Sequence, residues 1–192
     1  MWKTCITGAG IIGACAVAIS TAACATAPKT RAETRADEDS LESQAHATLE
    51  SMKARDARLG ELLDSSVGYA VFPEIGKGGV IVGGAFGRGV VFEKGAPVGY
   101  VKLSQGSVGA QLGGQTFAEL IVFNDQKALT RLKTDNFDVS ANASAVALTS
   151  GAASTAQFEG GAAVFIMPRG GLMLDISVAG QKIEYDRRDG RS

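Results

Sequence analysis

Hydrophobic and polar positions follow two different rhythms along this chain. Between about Ser40 and Arg55 the apolar residues Leu41, Ala45, Leu49 and Met52 recur at helical spacing. Asp39 stands before them and Glu42 follows three residues on, a capping-box-like pair at a helix start. Leu59, Leu62 and Leu63 predict a second short helix ending near Asp64. After Val67 the period becomes two. Val80, Val82 and Phe86 alternate with Ile81, Gly83, Ala85 and Gly87. Val108, Ala110 and Leu112 alternate with small or polar residues, and so do Leu172, Leu174, Ile176 and Val178. Turn chemistry at 93–95, 104–107, 168–171 and 179–181 separates these runs. One helical stretch, Asp125 to Lys133, interrupts them. The pattern predicts an α+β domain in which N-terminal helices pack on a curved, mainly antiparallel sheet, sandwich- or barrel-like.

The glycines of "GVIVGGAFGRG" share one strand face: Gly83, Ala85, Gly87 and Gly89 beside Ile81. Glycine inside a strand costs about 0.5–1 kcal/mol relative to alanine, so such a face needs a reason. Close packing against another element is one. A small-residue groove for an acyl chain or partner segment is the other. A phosphate loop is excluded: Gly76-Lys77 is followed by no Ser or Thr, and the glycines run on into strand, not helix.

Composition narrows the chemistry. Nineteen Lys and Arg balance 20 Asp and Glu, for a net charge of -1, so no global field draws the protein to nucleic acid. The three cysteines, Cys5, Cys15 and Cys24, all precede the periodic region. The domain therefore has no disulfide, thiolate metal site or catalytic thiol. His46 is the single histidine and sits on the first predicted helix. No G-x-S-x-G elbow or carboxylate pair at metal spacing is present. The expectation is a protein that is not an enzyme, with no cofactor and no metal. Asp175, which breaks an apolar strand, reads as an outward-facing residue.

The first 28 residues read as an export signal: Lys3, an uncharged run, then small residues. Three readings stand: cleavage before a lipidated Cys24, which follows Ala22 and Ala23; ordinary cleavage near Ala25; or an uncleaved anchor. Several acyl chains (palmitate among them) on Cys24 would make membrane release negligible. The layout is then a signal over 1–23, a tether over 24–37, the domain over 38–186 and a polar tail over 187–192. The helix stripe of Leu41, Leu49 and Met52 either packs on the domain or lies on a membrane. Lys77, Arg88, Lys94 and Lys102 are either a headgroup-binding rim or scattered solvated charge.

The segment from "GYAVFPEIGKGG" to "AELIVFND", with "GGLMLDISVAGQKIEY" near the C-terminus, resembles the SYLF-domain family over roughly Asp56 to Asp186. The resemblance implies a non-enzymatic domain that binds membrane phospholipid. It also implies an exported bacterial lipoprotein; Ala25 after Cys24 favours an outer-membrane location facing the periplasm. The actin binding of eukaryotic relatives is not expected here. The competing reading is a lipid-anchored interaction module that contacts an envelope protein.

Overall fold

The computed structural model describes residues 31–79, 82–108, 113–134, 137–139, 145–170 and 180–188. The export signal, Cys24, Asp175, the strand expected over Leu172–Val178, and Val80, Ile81, Ala110 and Leu112 of the other expected strands lie outside the described residues.

The chain opens with helix α1 (Arg31–Arg55) and the short α2 (Leu59–Ser65). Four strands follow: β1 (Gly68–Gly79), β2 (Val82–Glu93), β3 (Ala96–Val108) and β4 (Gly113–Phe123). Helix α3 (Gln126–Lys133) comes next, then β5 (Phe137–Val139), β6 (Ala145–Ala147), a 3-10 turn at Ala152–Thr155, β7 (Ala162–Gly170) and β8 (Gln181–Arg187). The sheet order is β5-β8-β3-β2-β1-β4-β7-β6, antiparallel except for the β6–β7 pair. The architecture is the expected α+β one, with the N-terminal helix packed on the sheet.

Local chemistry explains most boundaries, and four expectations need correction. Helix α1 starts at Arg31, not Ser40, so residues 31–37 are helix rather than tether and Asp39 lies inside it. Ala, Arg and Glu are strong helix formers, and nothing before Leu41 breaks the run. Residues 104–107 are strand, not turn, because all four pair with β2 and Ser104 also pairs with Lys182 of β8. Residues 168–170 also continue a strand. Pro168 is tolerated there because it sits at a register shift opposite Phe117, and β6 reaches only as far as Ile166. Finally, Arg187 belongs to β8, and Arg188 donates to the Pro97 carbonyl, so the polar tail begins later than expected. The expected turn at 93–95 is present: Lys94 (φ 50°) and Gly95 (φ 77°) form a two-residue hairpin loop with both φ values positive, as a type I′ turn requires.

The sheet rolls. Strands β4 and β8 stand four places apart in the sheet order, which is roughly 19 Å in a flat sheet at the usual strand spacing. Yet Gln181 Nε2 on β8 donates to Glu119 Oε2 on β4 at 3.0 Å. The Phe123 and Phe137 rings, on β4 and β5, meet edge to face at 5.4 Å. Inside the roll lie Phe72, Ile75, Val101, Leu103, Phe117, Ile121 and Ile183, with Ala128, Leu129 and Leu132 of α3. On the outer face, Leu41, Ala45, Leu49 and Met52 of α1 pack on Tyr69, Val71, Val90 and Phe92.

A bulge in β1 shapes the inner core. The register shifts around Pro73, between Val71 and Glu74 toward β2 and between Phe72 and Ile75 toward β4. Three residues apart, Phe72 and Ile75 would face opposite ways in a regular strand; the extra residue brings both inward. They lie over Gly87 and Gly89. A Cβ on Gly87 would stand 2.6 Å from Ile75 Cγ1, and one on Gly89 would stand 2.6 Å from the Val71 carbonyl oxygen. Close packing therefore accounts for these two glycines.

Candidate functional site

Beyond the cover of α1, the outer face of β2 and β3 is bare. Cross-strand register builds two rows there. Glu74, Arg88, Lys102 and Glu184 run across β1, β2, β3 and β8. Beside them, Gly76, Phe86, Ser104 and Lys182 form the next row. Phe86 is 68% exposed and is the one large apolar side chain so exposed among the described residues. A shallow groove of about 440 Å³ runs past it, lined by Phe86, Arg88, Lys102, Leu103, Ser104 and Glu184. Arg88 also borders a cleft of about 300 Å³ between α1 and the β1 bulge.

Electrostatics in the patch is local. Arg88 and Lys102 are direct cross-strand partners with like charge, an arrangement that costs stability. Among the described residues neither has an ion-pair partner. Lys182 is held by Glu184 at 2.9 Å, both well exposed, a pair worth about 0–1 kcal/mol. The result is an exposed aromatic ring among three cations.

The residues expected to meet lipid are not gathered in one place. Leu41, Leu49 and Met52 are buried against the sheet. Presenting them to a membrane requires undocking α1, at about 1.5–3 kcal/mol for each side chain. Polar ties add to that cost. Tyr100 Oη donates to Glu42 Oε1 at 2.6 Å, Arg188 pairs with the same carboxylate at 3.2 Å, and Arg169 donates to Thr48 Oγ1 at 2.6 Å. Burial, and then the bond to Glu42, push the Tyr100 phenol up. Exposed His46 stands edge-on to the Phe92 ring at 5.1 Å. Lys77 shares the inner face of β1 with Ile75, opposite buried Ala85. Lys94 is in the β2–β3 turn, six residues or roughly 20 Å along β2 from Arg88. Of the expected cations, only Arg88 and Lys102 stand together in the patch.

Two further features escaped the sequence reading. Phe86 was legible only as a strand residue, because exposure depends on where α1 stops covering the sheet. Glu119, fully buried in the inner core, has its carboxyl pushed up to about 7 by burial, against the opposing bond from Gln181. Its signal was a lone charge inside the apolar run "FAELIVF". Buried Asp56 joins the α1–α2 junction to the 3-10 turn: it accepts from Ala153 N at 2.7 Å and Arg58 N at 3.1 Å. Burial alone would raise that carboxyl, yet the backbone N–H donors of Ala153, Arg58 and Gly151 hold it below its usual value. Among the described residues no group of three or more His, Cys, Asp or Glu converges as a metal site would. Among them, too, no helix is long and apolar enough to cross a membrane.

Residues 104–191 match the Ysc84 family, described as "Las17-binding protein actin regulator". The matched stretch runs from within β3 to beyond β8 and includes Glu119, Gln181, Lys182 and Glu184. The chain is also 29% identical over 127 residues to Beta cell expansion factor A of Aeromonas veronii, which covers 66% of this chain and 48% of that protein. The chain thus spans about half the length of the curated relative it matches. The chain is thus similar to the Ysc84, or SYLF, domain family over residues 104–191, and to this bacterial protein over 127 residues.

Proposed function

We propose that this protein is a non-enzymatic module that binds the surface of phospholipid membranes through the bare outer face around Phe86. The observation that carries the reading is the exposed Phe86 ring set among Arg88, Lys102 and Lys182. An aromatic ring enters the interface between headgroup and acyl chain, while cations at the same height meet phosphates. The similarity to the SYLF family, whose resemblance implies membrane lipid, supports lipid as the ligand. In this reading the chain is exported, acylated on Cys24 and held at the outer membrane facing the periplasm. The helix 31–40 then spaces the domain from its anchor. Actin is no part of the proposal, since an exported chain does not meet it.

The test uses the full chain with Cys24→Ser, which cannot be acylated, co-sedimented with vesicles of phosphatidylcholine alone and with added phosphatidylglycerol. Binding should survive without acylation. Loss of one cation near an anionic surface is worth about 1 kcal/mol, so Arg88→Ala should weaken binding to the phosphatidylglycerol vesicles roughly fivefold. Absence of binding to both vesicle types would transfer the role to a protein partner in the envelope.

A further inference from the structure

The patch described above carries a charge pattern that a plain anion site does not need. Glu74 is the direct cross-strand partner of Arg88. Opposite charges in that register normally pair. Here they do not: among the described residues Glu74, Arg88 and Lys102 all lack an ion-pair partner. Instead Glu74 and Arg88 both border the 300 Å³ cleft between α1 and the bulge at Pro73, with Ser40, Gln44 and Asp37 on the helix side. Arg88 lies between this cleft and the groove that holds Phe86 and Lys102. Read across the strands, the row is negative, positive, positive, negative: Glu74, Arg88, Lys102, Glu184. A ligand that complements it has an anionic centre on the two middle residues and a cation beside Glu74.

Resting on the lipid-surface reading, we infer that the cleft and the groove adjoining it at Arg88 together select an aminophospholipid headgroup, with Arg88 and Lys102 on its phosphate and Glu74, in the cleft, on its primary ammonium. The chemistry separates this headgroup from its neighbours. A primary ammonium brings N–H donors, as a lysine does, and a carboxylate offers only acceptors. A quaternary ammonium has no donor and is held by aromatic faces; the cleft lining contains no aromatic ring. A purely anionic headgroup finds Arg88 and Lys102 but is opposed by Glu74. The Phe86 ring, on the same strand face as Arg88 and two residues away, is placed to meet the glycerol and first methylenes of the same lipid.

The experiment compares vesicles of phosphatidylcholine in which a fixed fraction is replaced by phosphatidylethanolamine or by phosphatidylglycerol, using the full chain with Cys24→Ser. Phosphatidylethanolamine should raise binding at least threefold over phosphatidylcholine. Soluble glycerophosphoethanolamine should compete and glycerophosphocholine should not, which separates headgroup recognition from membrane curvature. Glu74→Gln should abolish the phosphatidylethanolamine gain and strengthen binding to phosphatidylglycerol, reversing the preference. Glu74 is exposed, and circular dichroism would confirm that the variant is folded. Binding to phosphatidylglycerol with no gain from phosphatidylethanolamine, or a gain that survives Glu74→Gln, overturns the headgroup assignment and leaves the membrane-surface reading standing. No binding to any vesicle overturns both.

Discussion

One face of β2 has two fates. At its C-terminal end Val90 and Phe92 are fully buried beneath α1, where Phe92 stacks on Tyr69 at 5.3 Å. Two to six residues earlier on the same face, Arg88 and Phe86 are exposed. The alternation of the strand is the same at both ends; what differs is the cover. The residues of α1 that are buried against the sheet begin at Leu41, and most of its first ten residues are exposed. A strand's outer face therefore becomes core or docking surface according to where another element stops. The aromatic residues at the two ends should respond to substitution in opposite ways.

That contrast gives the largest expected effect. Phe92→Ala should cost about 3–5 kcal/mol of stability in denaturant titration, because it empties a packed site. Phe86→Ala should leave stability within about 0.5 kcal/mol. It should reduce vesicle binding roughly tenfold or more, since burying a phenylalanine is worth about 1.5–3 kcal/mol. Equal destabilisation by the two variants would mean that the bare end is covered in solution.

The inner core sharpens the comparison. Glu119 lies behind the outer face, and its bond to Gln181 joins strands that the sheet order keeps apart. Its carboxyl stays protonated up to about pH 7 when folded, against an ordinary value of 4.5. Between those limits the folded state holds a proton that the unfolded chain has lost, so stability is full below pH 4.5 and falls as pH rises to 7. The total is about 3 kcal/mol at 1.36 kcal/mol per pH unit. Glu119→Gln should flatten this slope and be more stable than wild type at pH 8. An unchanged slope in thermal unfolding from pH 5 to 8 would show that Glu119 is not its source.

Asp56 gives the smallest effect, and one of opposite sign. Its folded carboxyl is held below the ordinary 3.8, so its contribution is present above that value and lost as pH falls through the folded one. Asp56→Ala strands the buried Ala153 amide and should cost about 1–3 kcal/mol. It weakens the anchor of α1, so hydrogen exchange should quicken at Val90 and Phe92 while Phe86 is unaffected. Uniform acceleration along β2 would place the effect elsewhere.

Periodicity alone made the second half of α1, α2, α3, the β2 strand and the α+β class legible, because burial on one face imposes 3.6- and 2-residue rhythms. The glycines at 87 and 89 announced close packing. Their partners were not legible, because Phe72 and Ile75 reach the same core only through the bulge at Pro73. Short strands such as β5 and β6 have too few residues to show a period. Of the candidate site, Arg88 and Lys102 are legible as basic residues of the first hairpins. Lys77 and Lys94 look equivalent to them in the sequence, because neighbourhood along the chain says little about which face or end a strand residue takes.

What the sequence by itself determined is the alphabet of elements, the charge balance and the strand parity that sets Phe86 beside Arg88. Those are local properties, written in neighbouring side chains. Tertiary structure decided the rest. The rolling of the sheet brings Glu119 to Gln181, the trajectory of α1 buries Leu41, Leu49 and Met52, and the end of that cover leaves Phe86 bare. Each depends on contacts between residues distant in the chain, whose energies no local pattern records.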